Sequence, residues 1–166
     1  MSNNKPKIKI ETTNLHKLLD IVSLILVGVT LVYTVMKYSV LPEIIPIHFD
    51  LAGEFSGNGA GKNGIFIFIL IGVILYLGLF LLSKFPEKYM YKVEITEKNA
   101  RRQYSLVKTY MKVVSLLIVT LVCYMQYSVI NAIIQGKDTV GMSYMIFGGL
   151  IVISAIAYTV RSKQLK

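Results

Sequence analysis

The sequence predicts an all-α membrane protein, a bundle of four transmembrane helices that forms a single domain over residues 1–166. Three observations indicate this fold class. Four runs are apolar and nearly free of charge over the length of a membrane span, 54% of all residues are hydrophobic, and only 16% are charged. Soluble domains average roughly 25% charged residues, so the composition excludes an ordinary soluble protein.

The predicted spans are residues 18–36, 65–82, 113–134 and 142–160. A hydrocarbon core of about 30 Å needs roughly 17 to 25 helical residues to cross it. Because hydrocarbon offers the backbone no hydrogen-bond partner, each run is predicted to be helical. No small-residue cleavage signature follows the basic N-terminal segment, so we expect the first span to be retained as a signal anchor.

Lysine and arginine predict how the spans are oriented. Fifteen of the 18 basic residues flank the spans on one side, whereas Lys37, Lys62 and Lys137 flank them on the other. Positive charge in short loops resists translocation, so both termini and an inner loop, 83–112, are predicted to be cytoplasmic in a multi-pass plasma-membrane protein. The same distribution accounts for the net charge of +9, and no nucleic-acid partner is expected.

The two longer loops differ in character. Pro42 and Pro46 favour extended backbone in the first half of the outer loop, 37–64, and glycine turns are predicted in its second half. In the inner loop, Thr96 followed by Glu97 is typical of a helix start, which predicts that the third helix begins below the membrane. This extension is predicted to present residues to the inner leaflet or to a partner: Asn99, Arg101, Arg102, Tyr104, Lys108 and Lys112.

A motif follows the first span directly. It comprises Leu41, Pro42, Pro46, His48, Phe49 and Asp50, with Gly53 and Gly57 behind them. The pattern Leu-Pro-x-x-Ile-Pro-x-His-Phe resembles the signature of domain of unknown function 1648, which occurs in small bacterial membrane proteins. It also occurs at the N-terminus of the immunity membrane proteins that protect cells from the sporulation-delaying peptide toxin. The segments 95–104 and 124–126 resemble the small members as well.

The motif brings together side chains that can bind or titrate. In extended backbone, His48 and Asp50 point to the same face, and Glu43 and Glu54 lie nearby in the sequence. We favour a structural role, in which His48 and Asp50 tie the loop to the mouth of the bundle. A peptide or ligand contact, a cation site at His48 and Asp50, and catalysis are the alternatives, and we expect no resident metal or other cofactor.

Polar residues also occur inside the third span. Gln126 and Asn131 lie in hydrocarbon, and each needs a partner across the bundle. Joining the helices is the favoured role, and a polar pocket for a substrate is the alternative. Tyr124 belongs to the same intramembrane polar set and is also typical of the outer half of a membrane span.

Three functions are compatible with these features. The resemblance implies a binding or protection protein that gives immunity or resistance to a membrane-active peptide. An accessory subunit of a transporter or sensor is the alternative. A membrane enzyme or ion carrier is the weakest, because the spans hold few paired acids, bases or nucleophiles. The partners considered are the lipid bilayer, a peptide or membrane protein, and a second copy of the chain.

The orientation is testable with reporters fused after Lys166, within Ala100 to Tyr104, and at Asn58. The first two are expected to report cytoplasm and the third the outer side, because positively charged loops are retained inside. External labelling of a cysteine introduced at position 100 would contradict this orientation.

Overall fold

Four long helices make up most of the chain. The computed structural model describes residues 5–165, and Lys166, which the orientation argument counts, lies outside them. The helices are α1 (Asn14–Tyr38), α2 (Ile67–Leu82), α3 (Ala100–Ile134) and α4 (Met145–Gln164). Short 3-10 turns cover Lys62–Phe66, directly before α2, and Pro86–Lys88. Two short strands, β1 (Ile44–Ile45) and β2 (Ala60–Gly61), pair in antiparallel fashion.

Each helix is long and apolar enough to cross a bilayer. Mean hydropathy is 2.3 for α1, 3.1 for Lys62–Leu82, 2.1 for α3 and 1.6 for α4. These lengths, between 20 and 35 residues, match or exceed the roughly 20 residues that a span requires. The prediction of a mostly helical chain with four helices long and apolar enough to span a membrane is confirmed.

The bundle is organised around α3. This helix packs extensively against α1, α2 and α4, whereas α1 and α2 touch each other over a much smaller area. Gly72 lets α2 approach closely, since an added Cβ would lie 3.0 Å from Val122 Cγ1 of α3. In α4 only Ser162 is buried, so that helix presents most of its apolar surface outward.

The inward face of α1 is polar. Its buried residues are His16, Ser23, Thr30 and Thr34, while its large aliphatic side chains are mostly exposed. This inversion is expected where lipid replaces water, because apolar side chains gain nothing by leaving hydrocarbon while polar ones need partners inside the protein.

The helix starts differ from the sequence predictions, since α1 begins at Asn14 rather than 18 and α2 at Ile67 rather than 65. The helix α3 begins at Ala100 rather than Glu97, because Thr96 and Asn99 first close a turn of their own. The Thr96 amide donates to Asn99 Oδ1 at 2.9 Å, and the Ala100 amide donates to the Thr96 carbonyl at 2.9 Å. The helix α4 begins at Met145 rather than 142, after a turn over 143–144.

Candidate functional site

The loop end of the bundle, formed by residues 37–62 and 135–144, is held together by hydrogen bonds. The Phe55 amide donates to the Asp138 carbonyl at 2.8 Å, and the Val140 amide donates to the Gly53 carbonyl at 2.8 Å. The α3–α4 connection therefore lies alongside the motif loop as an additional extended segment. Regular pairing of this kind was not predicted from the prolines and glycines of the loop.

Side chains reinforce this junction. Thr139 Oγ1 donates to the Gly53 carbonyl at 2.9 Å, and the Tyr144 hydroxyl donates to the Leu51 carbonyl at 2.8 Å. The tip of the motif loop is thus held by backbone and side-chain groups of the α3–α4 connection. These bonds join segments that lie some 90 residues apart in sequence. The loop end therefore combines the connection between α1 and α2 with the connection between α3 and α4.

Gly53 is required at this junction on two grounds. Its φ is +80°, which side chains rarely adopt, and an added Cβ would lie 2.5 Å from the Gly141 carbonyl oxygen. Gly57 has a similar φ of +77°, but no heavy atom lies within 4 Å of its Cβ position. The two motif glycines therefore differ: one is needed for close approach and turn geometry, the other for turn geometry alone.

Asp50 ties the turn at the loop tip. Its Oδ1 accepts the Ala52 amide at 2.8 Å and the Glu54 amide at 3.0 Å. The two amides belong to residues two and four positions further along the chain. A carboxylate that accepts two amides at a turn compensates for the missing regular hydrogen bonds of the loop.

His48 does not pin the loop through its side chain, so the structural role predicted for it is wrong. The imidazole is exposed, and no side-chain hydrogen bond of His48 is found within residues 5–165. Its backbone carbonyl accepts the Ser56 amide at 3.0 Å instead. Since alternate residues of an extended segment share a face, His48 points outward together with Asp50.

The apolar motif residues cover the helix ends. Leu41 and Ile45 are buried with Ile65, Val129 and Ile130 in one cluster. Phe49 packs on this cluster, with its ring 6.1 Å from that of Phe68 and 6.3 Å from that of Tyr144. Pro42 and Pro46 lie on either side of β1, which is where residues that lack an amide proton are tolerated.

The exposed surface of the loop end is acidic and apolar. Its carboxylates are Glu43, Asp50, Glu54 and Asp138, and its lysines are Lys37, Lys62 and Lys137. Lys62 is already engaged, because its Nζ lies 2.7 Å from Glu43 Oε1. Beside these charges, Leu51 is 83% exposed, Ile44 70% and Met142 55%. Within residues 5–165 no group of three or more His, Cys, Asp or Glu side chains has a geometry that could hold a metal ion.

The intramembrane polar residues are placed differently from one another. Gln126 reaches across the bundle, where its Nε2 donates to Thr34 Oγ1 of α1 at 3.0 Å. Asn131 donates to the Tyr127 carbonyl of its own helix at 2.8 Å, and its side chain also interacts with the Tyr33 hydroxyl of α1. Tyr124 packs against Phe147 of α4, with ring centroids 5.3 Å apart.

The opposite end, the basic end, is formed by residues 5–13, 83–99 and the last turn of α4. Of the residues predicted to face the leaflet or a partner there, only Arg101 and Arg102 are exposed. Buried instead are Asn99, Tyr104, Lys108 and Lys112. The prediction of an outward contact is therefore wrong for these four, because they bind other parts of the same chain.

The N-terminal segment supplies partners for two of them. The Tyr104 hydroxyl donates to the Pro6 carbonyl at 2.9 Å, and Lys108 Nζ donates to the Ile10 carbonyl at 2.9 Å. Lys112 Nζ lies 2.8 Å from Asp20 in the first turns of α1 and 4.2 Å from the centre of the Phe80 ring. Asp20 thus joins α1 to α3.

Sequence reasoning missed two polar contacts at this end. The His16 Nδ1 accepts the Thr13 amide at 3.3 Å, and its Nε2 lies 2.9 Å from Thr109 Oγ1, so His16 caps α1 and joins it to α3. The spacing of Thr13 and His16 was the available signal. Gln103 Nε2 donates to the Ser162 carbonyl at 2.8 Å and thereby fixes the last turn of α4.

Tyrosines fill the space beneath the basic end. Tyr91 lies between Tyr89 and Tyr104, with ring centroids 5.6 Å and 5.7 Å away, and the rings of Tyr110 and Tyr158 stack at 4.5 Å. Burial raises the pKa of Tyr91 above its ordinary value, and its hydroxyl donates to the Pro86 carbonyl at 2.9 Å. This phenol therefore remains protonated and acts as a structural donor.

Residues 25–75 match the family described as Domain of unknown function (DUF1648). The match agrees with the resemblance that the motif loop carries. It runs from α1 through the motif loop into α2, so the part of the structure that it covers is the loop end and the two helices that carry it. No curated protein and no solved structure matches the chain.

Gly53→Ala is expected to loosen the loop end more than Gly57→Ala does. Both changes force alanine to a positive φ, at a cost of roughly 1 kcal/mol, but only the first also pushes a methyl group into the Gly141 carbonyl. Hydrogen exchange of the amides at Phe55 and Val140 measures the difference. Equal acceleration in the two variants would contradict the close-approach argument.

Asp50→Ala is expected to destabilise the loop tip locally by on the order of 2 kcal/mol, because two amides lose a charged acceptor. His48→Ala is the matched control and is expected to leave the loop unchanged, since exposed side chains without partners rarely affect stability. The measurement is the rate of proteolysis between Leu41 and Asn63 in both variants and the wild type, with and without a chelator. Loss of protection in His48→Ala, or on adding chelator to the wild type, would overturn this assignment.

Proposed function

We propose that the chain is a non-catalytic binding protein of the plasma membrane whose loop end receives a cationic, membrane-active peptide and so gives the cell immunity or resistance to it. The proposal draws on the resemblance to the immunity proteins for its class and on the loop-end surface for its ligand. The proposal depends on one observation: the loop end, which is held by hydrogen bonds, exposes both apolar side chains and carboxylates.

Charge complementarity supports a cationic ligand. Four carboxylates and three lysines belong to the loop end, and the pairing of Lys62 with Glu43 leaves three carboxylates and two lysines, whereas the basic end carries most of the lysines and arginines. Peptides that lie in the membrane interface are rich in Lys and Arg on one face and in large apolar residues on the other. The carboxylates of Glu54 and Asp138 match the first face, and Leu51 with Met142 matches the second.

The rigidity of the loop end supports a role in binding rather than in catalysis. The loop tip is held by Asp50, Thr139 and Tyr144, so little ordering entropy is lost when a ligand docks. In this proposal the loop end faces outward and both termini face the cytoplasm, in accord with the three basic residues at the loop end. A peptide held at the outer interface is thereby kept from inserting into the bilayer.

An accessory subunit is the second candidate, and α4 favours it. This helix packs chiefly against α3, and Ser162 is its one buried residue within the described chain. A helix with so much free surface can receive a further membrane helix of a transporter or sensor. Copurification of a stoichiometric membrane protein would favour this candidate, provided that wild-type expression gives no protection from peptides.

Leu51→Gln is expected to reduce protection by about tenfold. This is the loss of affinity expected when one leucine side chain is no longer buried against the bound peptide. Met90→Gln is the matched control, because Met90 is 88% exposed but lies at the basic end. The measurement is the lethal concentration of a panel of cationic membrane-active peptides for a sensitive host that expresses each variant at equal level.

The outcomes separate the alternatives. Protection by the wild type and by Met90→Gln, with loss in Leu51→Gln, supports the loop end as the binding surface. Equal loss in both variants would contradict that surface, and absence of protection by the wild type across the panel would contradict the peptide-binding function itself.

A further inference from the structure

A polar groove lies at the basic end, between the N-terminal segment and the connection that leaves α2. Its walls include Lys9, Thr12, Ser83, Lys84 and Lys108, and its volume is about 230 Å³. Lys9 and Lys84 are exposed, so their ammonium groups are free to move toward a ligand. The groove is far from the loop end and plays no part in the function proposed above.

Lys108 is the unusual member of this set, because it is a buried charge that forms no direct ion pair within the described residues. Its residue is 7% exposed, and its Nζ donates to two neutral oxygens, the Ile10 carbonyl at 2.9 Å and Thr12 Oγ1 at 3.1 Å. Within residues 5–165 the ion pairs are Lys62 with Glu43 and Lys112 with Asp20. Lys108 forms an ion pair with neither of these carboxylates.

Burial of an uncompensated ammonium is costly, so the site calls for an anion. An ammonium has three donors, and two of those of Lys108 are used within the chain. The third is available to a ligand in the groove. Within residues 5–165 neither Lys9 nor Lys84 forms an ion pair with a carboxylate, so both add positive charge to the groove.

The position of the groove selects the kind of anion. Ser83, Lys84 and Pro86 follow directly on Leu82, the last residue of α2, so they lie where that helix leaves the hydrocarbon. Lys84 and Lys112 both sit over the ring of Phe80, at 4.6 and 4.2 Å, which marks the boundary between apolar and charged layers. Phosphate groups of lipids occupy this level of a bilayer.

We propose that the groove is a binding site for the phosphate group of an anionic phospholipid, with Lys108 as the buried anchor and Lys9 and Lys84 closing over the headgroup. The N-terminal segment takes part directly, because its Ile10 and Thr12 orient the Lys108 ammonium. Anionic lipid therefore holds the N-terminal segment against α3 and the α2–α3 connection.

The test is lipid binding to the purified full chain in detergent, counted by native mass spectrometry during titration with phosphatidylglycerol. Wild type is expected to retain one tightly bound phosphatidylglycerol and no phosphatidylcholine. The double variant Lys9→Gln/Lys84→Gln is expected to bind phosphatidylglycerol about tenfold more weakly, since each lysine near a membrane surface contributes severalfold to the affinity for anionic lipid. Lys92→Gln/Lys98→Gln removes the same charge from exposed positions outside the groove and is expected to bind as wild type does.

Lys108→Met removes the anchor and is expected to abolish the tight site. Because that variant removes a buried group, the exposed double variant keeps the proposal falsifiable if Lys108→Met does not fold. Equal weakening by the two double variants would overturn the groove in favour of diffuse surface charge. Displacement of phosphatidylglycerol by millimolar inorganic phosphate, with phosphate binding the wild type equally tightly, would overturn the assignment to a lipid.

Discussion

Hydrocarbon gives a polar side chain no partner, so the polar residues of α1 must find theirs on α3. Three such contacts run along the bundle, from His16 and Thr109 through Asp20 and Lys112 to Thr34 and Gln126. They fix both the rotation and the height of α1 relative to α3. The polar face of α1 and the exposure of its aliphatic residues follow from that constraint, as does the central position of α3.

The loop end and the basic end are stabilised in different ways. At the loop end, backbone groups pair with each other and leave the charged side chains free on the surface. At the basic end, Tyr104 and Lys108 bind the carbonyls of an extended segment that has no regular structure of its own. The first arrangement leaves carboxylates available to a ligand outside the protein, whereas the second uses up most of the donors that could have faced one.

The sequence predicts the spans well because a charge-free run of sufficient length has one stable solution in a bilayer. It does not predict the loop-end pairing, since the contact of Gly53 with Val140 depends on how the two helix pairs meet. Lys108 and Lys112 were assigned outward on charge alone. Their spacing from Tyr104, four and eight residues along the same helical face, was the signal that they are buried with it. The exposure of His48 follows from its strand face and could not be read from its chemistry.

The pairing of Asp20 with Lys112 has a consequence for the order of biosynthesis. The two residues are separated by 92 positions, so α1 emerges and meets the membrane long before its partner on α3 exists. The Pro6 and Ile10 carbonyls are each separated by 98 positions from their donors on α3, Tyr104 and Lys108. Until α3 has been synthesised, α1 therefore lacks the ammonium that pairs with its carboxylate, and the contact between the two helices forms late in synthesis.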